Sequence, residues 1–195
     1  MMKIIITGTP GTGKTSVAKR LSEKLGYEYV NLNDILIRSG VCVYNPELET
    51  HEISNIDKAI EIIDDVTSRD NIVIDTLVVS LINPEYVDKV VVLRLDPYIL
   101  LERLKSRGWR GRKLCENVMA EILDYFLIEC VENFGNDKII EIDTTNRDVE
   151  NIVDEIIQML NKNCSRVGVV SWLSKIDPDF LLRLDMCREG VVDIV

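Results

Sequence analysis

Lys3-Ile4-Ile5-Ile6-Thr7-Gly8-Thr9-Pro10-Gly11-Thr12-Gly13-Lys14-Thr15-Ser16 decides how the rest of the chain is read. Its first residues are an uninterrupted apolar, β-branched run, the pattern of a strand buried on both faces of a parallel sheet. Gly8 to Thr15 then spell G-x-x-x-x-G-K-[ST], the Walker A phosphate-binding string. Val17, Ala18, Leu21 and Leu25 follow at helical spacing, and Gly26 closes that helix. Strand, glycine loop and helix in this order form the setting in which such a loop takes a nucleoside triphosphate. Glycines at 8, 11 and 13 let the backbone curl until amide hydrogens converge on phosphate oxygens, with the positive end of the helix behind them. Gly11, Thr12 and Gly13 are expected to supply those amides, and Lys14 to reach the β and γ phosphates of ATP. The Thr15 hydroxyl is expected on Mg²⁺ and Ser16 on the α phosphate.

The remainder of the chain alternates strand and helix signals, as helices covering both faces of a parallel sheet require. Strands are predicted at Tyr27–Leu32, Asn71–Asp75, Val87–Leu95 and Lys138–Ile142. Helices are predicted at Ile56–Val66, Tyr98–Ser106, Leu114–Asn133 and Asp148–Leu160. Asp96 before Pro97 reads as a helix cap. A polar stretch, Asn33 to Asn55, is too long for an ordinary connection and reads as an insertion with a function. It carries Asp34, Arg38 and the lone histidine, His51, which lacks a companion and reads as a surface residue. Asp75 ends an apolar strand, where ligands of doubly wound sheets bind, and either serves Mg²⁺ or caps the strand.

With 195 residues, the chain is expected to fold as one domain with a proper core. No apolar run is long enough to span a membrane, so a cytoplasmic protein is expected. The 5 cysteines are odd in number and lack metal-site spacing, and they read as free thiols. A net charge of -10, from 23 basic and 33 acidic residues, argues against a broad nucleic-acid surface. Against that background Arg103, Lys105, Arg107, Arg110, Arg112 and Lys113 are concentrated in one place. They are either a solvated helix end or, since Arg107-Gly108-Trp109-Arg110-Gly111-Arg112-Lys113 breaks the helical pattern, a short flap that closes on an anion.

Taken together, the Walker A string, Tyr29-Val30-Asn31-Leu32-Asn33-Asp34, Arg107-Gly108-Trp109 and Lys113-Leu114-Cys115-Glu116-Asn117-Val118-Met119-Ala120-Glu121-Ile122 resemble the small adenylate kinases of archaea and eukaryotic nuclei. This is the Fap7-like or CINAP-like branch of the nucleoside monophosphate kinases, and the likeness runs over about residues 3 to 160. It implies an α/β fold: a P-loop NTPase three-layer sandwich with a five-stranded parallel sheet, of the nucleoside monophosphate kinase type. Residues 1–163 would be the kinase domain, with a monophosphate-binding insertion at 31–54 and a short LID at 107–117. Residues 164–195 would be a tail that packs on the core, contributes to a homomeric contact or recognises a partner.

The resemblance further implies transfer of a phosphoryl group from MgATP to AMP or another nucleoside monophosphate, ATP hydrolysis, and a part in small-ribosomal-subunit maturation through a ribosomal protein; an assembly ATPase acting mainly through that partner, or another small-molecule P-loop kinase such as a shikimate or gluconate kinase, is the alternative reading. On that basis Lys14, Arg107, Asp75 and Arg38 are the candidate catalytic residues. Asp34, Arg107 and Trp109 join the loop in holding nucleotide, Trp109 either stacking on adenine or anchoring the flap. A monomer or weak homo-oligomer is expected. One departure stands out. Where the family carries Asp-x-His, with the histidine tied to hydrolysis, this chain has Asp75-Thr76-Leu77.

Overall fold

The computed structural model describes residues 2–194. Five strands, β1 (Lys3–Thr7), β2 (Glu28–Asn31), β5 (Ile72–Asp75), β6 (Lys89–Arg94) and β7 (Ile139–Asp143), form one sheet in the order β2-β5-β1-β6-β7. All of its pairings are parallel. Because side chains alternate across a strand, Ile4 and Ile6 meet Val17, Ala18 and Leu21 of α1 (Lys14–Leu25) and the apolar stripe of α7 (Val149–Asn161) on one face. On the other face Ile5, Ile74, Val90 and Val92 meet Ala59, Ile63 and Val66 of α3 (Ile56–Ser68) and residues Leu127 and Cys130. The result is a three-layer α/β sandwich with a five-stranded parallel core. Each fully buried Val, Leu or Ile contributes about 1.5–3 kcal/mol through the hydrophobic effect.

The helix starts follow from short polar side chains. Asn31, Asn55, Asp96 and Asp148 each accept a backbone N–H from the first turn of α2 (Leu32–Arg38), α3, α4 (Pro97–Ser106) and α7 respectively. The insertion is more regular than its composition implies. After α2 the chain forms a two-stranded antiparallel hairpin, β3 (Cys42–Asn45) and β4 (Thr50–Ile53).

Two expectations need correction. The single long helix expected at 114–133 is two helices, α5 (Gly111–Ile122) and α6 (Tyr125–Phe134), separated where Asp124 takes φ 57°. The cause lies outside the segment: the Arg94 guanidinium donates to the Glu121 carbonyl at 3.0 Å and to the Asp124 carboxylate, taking an acceptor that a continuing helix would use. The cysteines are likewise not all thiols. Cys115 of α5 and Cys187 of α8 (Pro178–Arg188) are joined in a disulfide, while Cys42, Cys130 and Cys164 are free.

That disulfide lies in a third apolar cluster, in which α4 and α5 pack against the tail through Leu100, Leu104, Leu114, Val118, Ile176 and Leu184. Before reaching it the tail passes β7, where Arg166 makes an isolated parallel bridge with Ile140. Among the described residues no helix is long and apolar enough to cross a membrane.

Candidate active site

The phosphate loop begins where β1 runs out between β5 and β6, at the C-terminal edge of the sheet. At Gly8, φ is +131° and a Cβ would stand 2.3 Å from the Leu93 carbonyl oxygen, so glycine is needed there for close approach to β6. Gly13 has open space around it and is needed for conformation alone, at φ +105°. It ends the loop and opens α1, whose N-terminus has no side-chain cap and so leaves N–H groups available to an anion.

The Thr9 carbonyl is the hub of the loop. It accepts the Thr12 hydroxyl at 2.8 Å, the Thr12 amide at 3.2 Å and the Lys14 ammonium at 3.1 Å. Lys14 also donates to the Gly8 carbonyl at 2.9 Å. Burial pulls the Lys14 pKa down to about 8, against the opposing pull of Asp75 and Glu121, while Arg107 lowers it further. Lys14 is half-buried, its ammonium resting on two loop carbonyls that an arriving anion can replace.

Asp75 ends β5 almost fully buried, accepting the Thr15 hydroxyl at 2.6 Å and the Tyr29 hydroxyl at 3.3 Å. Burial and the Asp75 charge push Tyr29 up to about 12, so it stays a neutral donor. A carboxylate and a hydroxyl side by side are hard oxygen ligands of the kind Mg²⁺ takes in nucleotide sites, where the ion keeps water and substrate phosphate for the rest of its shell. Among the described residues no group of three or more His, Cys, Asp or Glu side chains could hold a metal. Ser16 is exposed at the mouth of the cleft.

On the flap side the chain is non-helical only at 107–110, because α5 already begins at Gly111. Arg107 is exposed, ends α4, and pairs with no carboxylate among the described residues. Its neighbours in the cation cluster are mostly engaged: Arg103 donates to the Gly11 carbonyl, Arg112 pairs with Glu116, and Lys113 donates to the Glu49 carbonyl of the hairpin at 2.6 Å. Trp109 packs on the α4–α5 cluster with the Lys113 ammonium 4.4 Å from its ring, an anchoring position.

Between α2, the hairpin and the segment after β5 lies a half-open pocket of about 180 Å³, lined among others by Asn33, Leu36, Ile53, Leu77 and Val78. His51 lines it as well, packed edge-on against Tyr44. Asp34 and Arg38 lie on exposed positions of α2, and neither is brought into contact with the loop.

Sequence reasoning missed a buried ion cluster behind the loop. Arg94, 2% exposed, meets Glu121 at 2.9 Å, Glu141 at 2.8 Å and Asp124. Glu121 accepts the Thr9 hydroxyl at 2.5 Å, the Leu95 amide at 3.1 Å and the Trp172 indole N–H at 3.0 Å. Burial pushes the Glu121 carboxyl upward, against Arg94 and the Thr9 hydroxyl, which favour its charge. Ions so deep are tolerated because their oxygens are paired, and removing one partner of such a pair costs about 3–5 kcal/mol. The one available signal was a glutamate at the apolar spacing of α5.

Comparison with known proteins bears on the family and the fold. The profile of a family described as AAA domain matches residues 4–124. Proteins described as "Putative adenylate kinase" are 42% identical over 195 residues in Sulfurisphaera tokodaii, covering 100% of this chain and 98% of that one, and 40% identical over 175 residues in Methanocaldococcus jannaschii, covering 89% and 94%. Among solved structures, shikimate kinase from Acinetobacter baumannii in complex with shikimate matches with a TM-score of 0.63 at 20% identity, covering 84% of this chain and 94% of that one. That likeness concerns the fold alone. Sharing their sequence over nearly its whole length and carrying the phosphate loop in its structural setting, the chain belongs to the archaeal family of P-loop kinases whose members are described as "Putative adenylate kinase".

Proposed function

We propose that the protein is an adenylate kinase, converting ATP and AMP to two ADP. The observation that carries this reading is the pairing of a lysine-bearing phosphate loop with a half-open, largely apolar pocket of about 180 Å³ formed between the insertion and the segment after β5. A planar base suits such a cavity, and its phosphate would then face the loop across Asp75. Both substrates are polyanions, so the work is positioning and charge neutralisation. Lys14 leaves its carbonyl partners for the donor phosphates, the loop amides hold them, and Arg107, without an acidic partner among the described residues, swings onto the group in transfer. The exposed guanidinium of Arg38 is assigned to the acceptor phosphate and requires α2 to move inward. Thr15 and Asp75 would hold Mg²⁺, which when bound supplies neutralisation of charge on the phosphate oxygens. Closure of the 107–110 turn excludes water, so that phosphate passes to AMP and not to solvent.

Leu77 lines the acceptor cavity where the resembled family has its hydrolysis-linked histidine, and this favours transfer over ATP hydrolysis. We assign the chain to the branch shared by archaea and eukaryotic nuclei on its Arg107-Gly108-Trp109 and Lys113 to Ile122 strings. The ribosomal role belongs to that assignment, and the acidic surface supports a salt-sensitive encounter with a basic ribosomal protein.

A coupled assay of ADP formation tests the reading. Magnesium, ATP and AMP together should give ADP at a rate that Lys14→Met lowers by orders of magnitude, and Asp75→Asn should lower it strongly as well. ATP binding without AMP-dependent ADP formation would refute the assignment. A full-length protein that binds no small-subunit ribosomal protein at low salt would refute the maturation role.

A further inference from the structure

The tail and the phosphate loop meet on one carboxylate. Oxygen Oε1 of Glu121 is saturated by three donors: Arg94 Nε at 2.9 Å, the Leu95 amide at 3.1 Å and the Trp172 indole N–H at 3.0 Å. These fix the plane of the carboxylate and aim its other oxygen, Oε2, at the Thr9 hydroxyl, 2.5 Å away. Thr9 is the residue whose carbonyl gathers Thr12 and Lys14. A second tail contact reinforces the first. The Val169 amide donates at 2.8 Å to Glu141 Oε2, and Glu141 Oε1 holds Arg94 Nη1 at 2.8 Å. An ion cluster serving only to fill the core would need neither a tail indole nor a loop hydroxyl. Here the two glutamates are turned so that the tail holds the ions and Glu121 holds the loop.

We propose that Glu121 is a positioning residue for nucleotide binding, and that tail residues 169–172 complete the nucleotide site without touching the nucleotide. Loss of the Trp172 bond releases one edge of the Glu121 carboxylate, Thr9 drifts, and the carbonyl that presents Lys14 drifts with it. The inference rests on the phosphate loop binding ATP and does not depend on which acceptor is used.

Replacing Glu121 itself would strand the buried Arg94 charge and threaten folding. Thr9→Val and Trp172→Phe each delete one hydrogen bond and leave the ions in place, so both folded variants can be titrated calorimetrically with MgATP. Each should lose ATP affinity about three- to tenfold, and the double variant should lose less than the product of the two, since both act through one carboxylate. Lys175→Met, which removes the cation 5.3 Å from the Trp172 ring but no bond to Glu121, should bind ATP as the parent does. The proposal is overturned if either single variant keeps ATP affinity within twofold of the parent, whatever happens to its melting temperature, or if the two losses simply multiply. Failure to phosphorylate AMP would strike at the kinase assignment and leave this coupling standing.

Discussion

Alkaline pH should weaken ATP binding, by an amount that follows from where Lys14 sits. With its pKa at about 8 in the free protein, the charged fraction falls from about nine-tenths at pH 7 to about one-tenth at pH 9. Phosphate oxygens in contact with the ammonium restore its proton, so only the charged form binds well. The expected loss between pH 7 and 9 is about tenfold, or about 1.4 kcal/mol, measured by calorimetric titration with MgATP at constant ionic strength. Folding stability moves the other way. Because the folded-state pKa lies below the ordinary lysine value of 10.5, the unfolded chain binds the extra proton between about pH 8 and 10.5, and this residue's contribution to stability rises across that window. General alkaline unfolding would lower both quantities together. Lys14→Met should abolish the pH dependence of affinity while lowering its absolute value. A flat affinity from pH 7 to 9, or the same fall persisting in Lys14→Met, would refute the reasoning.

Gly8→Ala should fail to accumulate as folded protein, or lose several kcal/mol in denaturant titration, because its Cβ would stand 2.3 Å from the Leu93 carbonyl oxygen; a stable, ATP-binding Gly8→Ala would show that the loop can shift. Arg107→Ala should lower kcat at least tenfold with less than threefold change in ATP affinity, since the side chain has no ground-state partner among the described residues; equal losses in both would make it an ordinary binding residue. Reduction of Cys115–Cys187, which closes a loop over a sequence separation of 72, should lower stability by about 2–4 kcal/mol in thermal melts with and without dithiothreitol; an unchanged melt would mean that the α5–α8 packing alone suffices.

The sheet was legible because its central strands β1, β5 and β6 are largely β-branched runs buried on both faces. The loop was legible because phosphate binding demands a rare string. Features decided by one side chain acting from far along the chain were not. The break between α5 and α6 is imposed by Arg94, 27 positions before Glu121, and nothing between Leu114 and Asn133 announces it. Arg94 and Glu121 are charged, and charge ordinarily signals solvent; only three-dimensional pairing reveals that both are core. The disulfide escaped notice because cysteine spacing says nothing about which thiols the tail brings together. Arg38 and Asp34 belong to a different class: their chemistry was readable, but α2 holds both away from the loop, where only closure would bring them into use.

β7 is the last strand of the sheet, and its outer edge does not end in bare backbone. The Arg166 amide donates to the Ile139 carbonyl at 2.8 Å, and the Glu141 amide donates to the Arg166 carbonyl at 2.8 Å. A single residue thereby occupies the site where a sixth strand would begin to pair. Open sheet edges recruit strands from neighbouring molecules, so the tail's passage across β7 is a guard against self-recruitment. Chains shortened before Arg166 would expose that edge, and their first failure would be sheet-to-sheet association between copies, well below the temperature at which the sandwich itself melts.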